Sequence, residues 1–355
     1  MENKRIDNLD LMKAIGILMV ITLHVPLWKP DFITEYDYSH ILQYMFRIVS
    51  EGVPIFVTIN GFLLLRKKEL DIKKHIHKML KLLGILLLWG CILAFVGMLL
   101  DSNRNGFTVN DIILAVLNIQ VGADYTGVLW FLQNLLAVYL IFPILWYIYN
   151  NKYDIYKYLF IIVSSFVLGI ATLVLIRDLV STKCDATLLA MIIDFINRFN
   201  PIGNGWYLFY FMLGGIMWHY LEWIKRYRKI LSVVGFVSWP MAFGVGFYLS
   251  KCNEVTYNPA FNYGSVFMVL FLVGFFAFSM PYKCTSVIDK LINSIGQNTF
   301  GMYLSHFLFI FIINRDCMLV DMKSRLIAYC AVCIASYLFS VIIRKIPILK
   351  CIIQI

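Results

Sequence analysis

RKKELDIKKHIHKMLKLLGILLLWGCILAFVGMLL fills residues 66–100. Seven of its first sixteen residues are Lys or Arg, and after Lys81 no charged residue appears until Asp101. The apolar part, 79–100, has the length of about 20 residues that a helix needs to cross the hydrocarbon core. A dense basic segment directly before such a run marks the cytoplasmic side of a membrane span. This one stretch predicts both a lipid-embedded helix and its direction.

Working outward, nine further apolar segments of similar length follow the same rule. On the N-terminal side they cover 10–28 and 44–65; on the C-terminal side 128–149, 157–176, 205–222, 229–250, 263–280, 297–314 and 325–343. The interval from Asp178 to Asn204 has room for an additional short helix. The whole chain of 355 residues is 61% hydrophobic and only 15% charged, too little charge for a water-facing surface of that size. The prediction is an all-α, polytopic transmembrane bundle of about ten spans. It forms a single domain over 1–355, is multi-pass in the cell membrane and has both termini cytoplasmic. Lys4 and Arg5 precede an apolar stretch that carries Lys13 and His24 and has no small-residue cleavage site, so it reads as a retained first helix.

The net charge of +10 is a topology signal and does not point to a nucleic-acid partner. With the N-terminus inside, inner segments hold 20 Lys and Arg and outer loops hold 9. The outer loops collect acids instead, among them Asp31, Glu35, Asp37, Asp101, Asp111, Asp124 and Asp185. Eight cysteines form no recognisable framework. Cys91, Cys330 and Cys333 lie inside apolar runs as small hydrophobes, while Cys184, Cys252 and Cys317 fall in outer loops where pairing is open.

An ionisable group in mid-bilayer costs about 2.5–3.5 kcal/mol, so each one there is a functional candidate. Lys13 and His24 stand eleven residues apart, close to three helical turns, hence on one face and about 16 Å apart. Lys13 reads either as a snorkelling anchor or as a functional cation, and His24 either as an interfacial residue or as a general base. Arg47 and Glu51 are an i,i+4 pair at the outer end of the second span, either a self-neutralised structural pair or partners of His24. A carboxylate beside an imidazole fixes its tautomer and raises its basicity. The basic run 66–81 reads as a lipid-facing anchor or as a cradle for an anionic, phosphate-bearing cosubstrate, with Lys78 and Lys81 placed to clamp one phosphate. Asn60, Gln133, Asn134, His219, Asn298, Ser305 and His306 all need partners in a dry setting. Asn60-Gly61 and Gly214-Gly215 allow close backbone approach.

Four stretches, in order, span nearly the whole chain. They are RIDNLDLMKAIGILMVITLH at 5–24, GVPIFVTINGF at 52–62, LWFLQNLLAVYLIFP at 129–143 and IGQNTFGMYLSH at 295–306. Together they resemble the bacterial integral-membrane acyltransferase family three, which includes surface-polysaccharide O-acetyltransferases. That resemblance implies transfer of an acyl group, acetyl first among the choices, from cytoplasmic acetyl-CoA to a hydroxyl of a cell-surface or lipid-linked glycan. It implies His24 as general base or transient acyl carrier, with Glu51 and Arg47 beside it in the catalytic set. Lys13, Lys78 and Lys81 would bind the CoA donor, and Asn60, Trp130, Gln133 and His306 would line the substrate path. Partners are then the glycan acceptor and membrane lipids, with no metal and no oligomeric state implied. Lys13 replaces the family's commoner arginine, and Lys78 with Lys81 replaces two arginines three apart. Charge is kept while the bidentate fork is not. The rival class is a transporter of a lipid-linked glycan or small anion, which would use the same buried charges along a pathway.

Overall fold

A computed structural model describes residues 7–25, 51–101, 106–120, 123–203, 205–253, 263–316 and 321–353. They are helical throughout, with turns between, and no strand occurs among them. Five helical stretches among the described residues are long and apolar enough to cross a membrane: Ile72–Leu100, Gly127–Asn151, Tyr153–Ser181, Arg228–Asn253 and Met322–Lys345. Their apolar side chains point outward as well as inward. Leu80 is 62% exposed and Leu99 61% exposed on the third predicted span. A surface of that kind is stable against lipid and not against water.

We label the helices α1 (Asp7–His24), α2 (Val53–Leu65), α3 (Ile72–Leu100), α4 (Val109–Leu117), α5 (Trp130–Asn151), α6 (Tyr153–Ser164) and α7 (Ile170–Ser181). There follow α8 (Thr187–Asn197), α9 (Trp206–His219), α10 (Leu221–Arg226), α11 (Arg228–Asn253), α12 (Val266–Ser279), α13 (Val287–Asp316) and α14 (Met322–Lys345). All ten predicted apolar segments find a helix. The part of the second segment before Glu51 lies outside the described residues, and α6 and α7 join through a π turn into one span. The additional helix anticipated between Asp178 and Asn204 is α8.

The basic run is a correction. The predicted span starts at residue 79, but α3 begins at Ile72, because the Asp71 side chain caps it by accepting from the Lys74 amide at 3.0 Å. Lys73 to Lys81 are therefore helical, two turns ahead of the apolar stretch. Charged residues outside the hydrocarbon leave no hydropathy signal of helix, so the cap decides the start.

The helices fall into two compact units interleaved along the chain. Unit 1 comprises Met1–Met12, Trp28–Lys68 and Ile144–Cys284. Within it α2 packs on α9 and α11 on α12. A Cβ at Gly61 would overlap the Phe211 carbonyl, and one at Gly214 would overlap the Thr58 carbonyl, so α2 and α9 meet backbone to backbone. Small residues at such crossings are what let membrane helices gain dispersion contacts, since lipid offers no hydrophobic drive. Tyr149 and Tyr156 donate to the Gly215 and Met212 carbonyls at 3.1 and 2.7 Å, fixing α5 and α6 to α9.

Unit 2 comprises Lys13–Leu27, Glu69–Pro143 and Thr285–Ile355. Here α13 packs on α14 and on α3. Ser340 of α14 sits where a Cβ at Gly301 would stand, and donates to the Asn298 carbonyl at 3.1 Å. At the head of α13, Ser286 and Asp289 cap each other reciprocally. The Ser286 amide and hydroxyl, with the Thr285 amide, hold the Asp289 carboxyl down at about 2.

Pro143 lies inside α5 and has no N–H to give the carbonyl four residues back, that of Tyr139. The ring of buried His75 takes its place, with Nε2 at 2.8 Å from the Tyr139 carbonyl. A carbonyl only accepts, so His75 carries its proton on Nε2. This histidine of the basic run thus serves the fold.

Candidate active site

The site is built in unit 2 around the C-terminal end of α1. The helix is unbroken from Asp7 to His24, so the eleven-residue spacing does place Lys13 and His24 on one face. Both are half-buried. Tyr329 of α14 donates to the Leu18 carbonyl at 3.4 Å and ties α1 to that helix.

His24 meets His306 of α13. Nε2 of His306 lies 3.3 Å from Nδ1 of His24, and the ring centroids are 5.1 Å apart. His306 is completely buried. Each ring also touches a backbone carbonyl through Nδ1: His24 reaches Val20 at 2.9 Å, and His306 reaches Tyr303 at 2.6 Å. Because carbonyl oxygens only accept, both Nδ1 atoms carry protons. In neutral His306 the lone pair then sits on Nε2, where it accepts from the His24 Nδ1–H that is shared with Val20. Neutral His24 in turn has its lone pair on Nε2, the form a general base requires.

Aromatic packing holds this pair. Phe307 sets its edge against both rings, with centroids 4.9 Å from His24 and 5.1 Å from His306. Tyr303 donates to the Val128 carbonyl at 2.5 Å and packs on Phe131 at 5.4 Å. Residues of three of the four motif stretches therefore meet in unit 2: His24 of 5–24, Phe131 of 129–143, and Tyr303 and His306 of 295–306. Beside His24 opens a crevice of about 10 Å³, lined by Val25, Ile310, Ile313, Asn314, Ala328 and Val332. That is room for about one water.

The other candidates divide. Trp130 and Gln133, both half-buried, lie on the first turn of α5, from which Phe131 packs on Tyr303. Lys78 and Lys81 are half-buried on α3, about 60° apart around the helix, and Lys78 sits over the Tyr139 ring at 5.7 Å. Asn60 belongs to unit 1 and donates to the Phe56 carbonyl at 2.9 Å. Glu51, also in unit 1, is 1% exposed and lies within electrostatic reach of Tyr210. Arg47 lies outside the described residues.

Several polar residues that needed partners find them on their own helix one turn back. Asn134 donates to Trp130, Asn298 to Ser294 and Ser305 to Gly301. His219 stacks on Tyr153 at 3.9 Å. Cys184 and Cys252 are unbridged, and Cys317 lies outside the described residues. Sequence reasoning missed the partner carbonyls of Val20 and Tyr303. Their only trace was spacing, four residues before His24 and three before His306.

The described residues form an all-helical bundle with five stretches long and apolar enough to cross a membrane, the class of a membrane protein, and they bring two imidazoles into contact. A family model described as an acyltransferase domain matches residues 6–345, nearly the full length, and the chain belongs to that family, membrane acyltransferase family three. No curated protein and no solved structure matches it.

Proposed function

We propose that this membrane acyltransferase moves an acetyl group from cytoplasmic acetyl-CoA to a hydroxyl of a cell-surface or lipid-linked glycan, with His24 as general base. The observation that carries the reading is the His24 tautomer set by the Val20 carbonyl and His306. The acceptor oxygen bonds to the thioester carbonyl carbon as its proton passes to His24 Nε2. Collapse breaks the C–S bond, and the same proton leaves with the CoA thiolate, so the base is restored. Lys78 and Lys81 hold CoA phosphates, and Lys13 places positive charge on the His24 face toward the donor. Glu51 and Arg47 are the charged partners that their spacing implies. Trp130 and Gln133 line the acceptor path. The chain resides in the cell membrane with ten spans and both termini inside.

The test is CoA release from acetyl-CoA by purified wild type and His24→Ala, with and without lipid-linked glycans from the host. Loss of general-base catalysis predicts a fall of about 100-fold or more in the variant. Equal release by both removes His24 from the chemistry. Failure to bind acetyl-CoA at all moves the reading to a transporter.

A further inference from the structure

We propose that His306 is a positioning residue: by accepting from the His24 Nδ1–H, it keeps the His24 lone pair on Nε2 and stabilises the imidazolium that forms there. The inference rests on the reading of His24 as base. Its geometry, though, is read from the two rings and their carbonyls alone.

A histidine side chain has two neutral tautomers, and its surroundings decide which one is held. The Val20 carbonyl distinguishes those of His24, but it is a helix carbonyl four residues back, and its pull rests on one contact at 2.9 Å. His306 adds a second acceptor to the same Nδ1–H at 3.3 Å. His306 itself cannot turn over to present a proton instead. Its own Nδ1–H is held by the Tyr303 carbonyl at 2.6 Å, and burial with Phe307 against the ring blocks a flip. Tyr303 is anchored in turn through its hydroxyl to Val128. The order Val128, Tyr303, His306, His24 thus runs from a fixed backbone to the reactive nitrogen. Such second partners orient a catalytic imidazole in many sites, and losing the correct tautomer can cost about 10⁴-fold in rate. Here the second partner is a neutral ring, so it supplies direction without placing a carboxylate in a dry setting.

Two measurements test this. In kinetics, His306→Phe removes the acceptor while filling the space, whereas His306→Gln places an amide oxygen where Nε2 stood. The expected result is a kcat at least about 100-fold lower for His306→Phe, KM for acetyl-CoA within about 3-fold of wild type, and recovery by His306→Gln to within about 10-fold. Equal loss in both variants, or none in the phenylalanine variant, overturns the role. The second measurement needs no activity. Nitrogen-15 NMR of histidine-labelled protein in lipid nanodiscs, with His24→Ala to assign the signal, reads the tautomer directly. Wild-type His24 is expected as Nδ1–H, and as a mixture or Nε2–H in His306→Phe. A wild-type His24 protonated on Nε2, or a tautomer indifferent to His306→Phe, overturns the proposal even if no acyl transfer is ever observed. The expected tautomers in a protein without acyltransfer would instead refute only the assigned reaction.

Discussion

His75 illustrates how a single residue can look functional and be structural. In the sequence it is one of two histidines among seven basic residues, a natural member of a phosphate cradle. In the fold it repairs the backbone where Pro143 withholds a donor from Tyr139. Removing it leaves a buried carbonyl without its partner, which costs about 1–3 kcal/mol. His75→Phe should therefore lower the melting temperature of the purified protein, and Pro143→Ala should largely restore it by returning the missing N–H. Heat-induced aggregation of the two single variants and the double variant measures the coupling, and simple additivity would refute the link. None of this is visible from residue types. The proline and the histidine are 68 positions apart, and only packing brings them together.

At the scale of helices, lipid makes much of the architecture legible. Among the described residues each predicted span overlaps a helix, because the hydrocarbon thickness prescribes a long apolar run. Where lipid is absent the reading loosens. α3 starts at Ile72 and not near residue 79, since a cap in water carries no hydropathy signature. α12 covers Val266–Ser279, shorter than the predicted 263–280, and its start is set by the Ser265 side chain, which accepts from the Phe267 amide at 3.2 Å. The glycines of α2 and α9 were legible in type, as places of close approach, though not in pairing. Gly61→Ala or Gly214→Ala should force those two helices apart and reduce the yield of monodisperse protein in size-exclusion chromatography. Gly84→Ala on α3 meets open space and should be neutral or stabilise slightly, as alanine is the better helix former by about 1 kcal/mol. If all three behave alike, the contact at that crossing is not what restricts them. The site was half legible: His24 and His306 were each picked out, but not their meeting, since 282 residues separate them.

For the whole molecule, the excess of Lys and Arg on alternate loops predicts a direction that cysteine chemistry can read. Cys184 is exposed in a loop predicted outside, Cys252 is exposed in the last turn of α11 at the end predicted outside, and Cys351 is exposed beyond the last span at the end predicted inside. In variants keeping one cysteine each, a membrane-impermeant maleimide should label the first two in intact cells. It should label Cys351 only after the membrane is opened. Labelling of Cys351 in intact cells would reverse the orientation and with it the side from which CoA arrives.

The narrow crevice beside His24 also bears on the cell's energy supply. Protons cross a membrane along files of hydrogen-bonded water, and an imidazole pair is a ready relay in such a file. Space for about one water, walled by Ile310, Ile313 and Val332, breaks the file next to the relay. A crevice of that size does not by itself give the imidazole pair a path for protons.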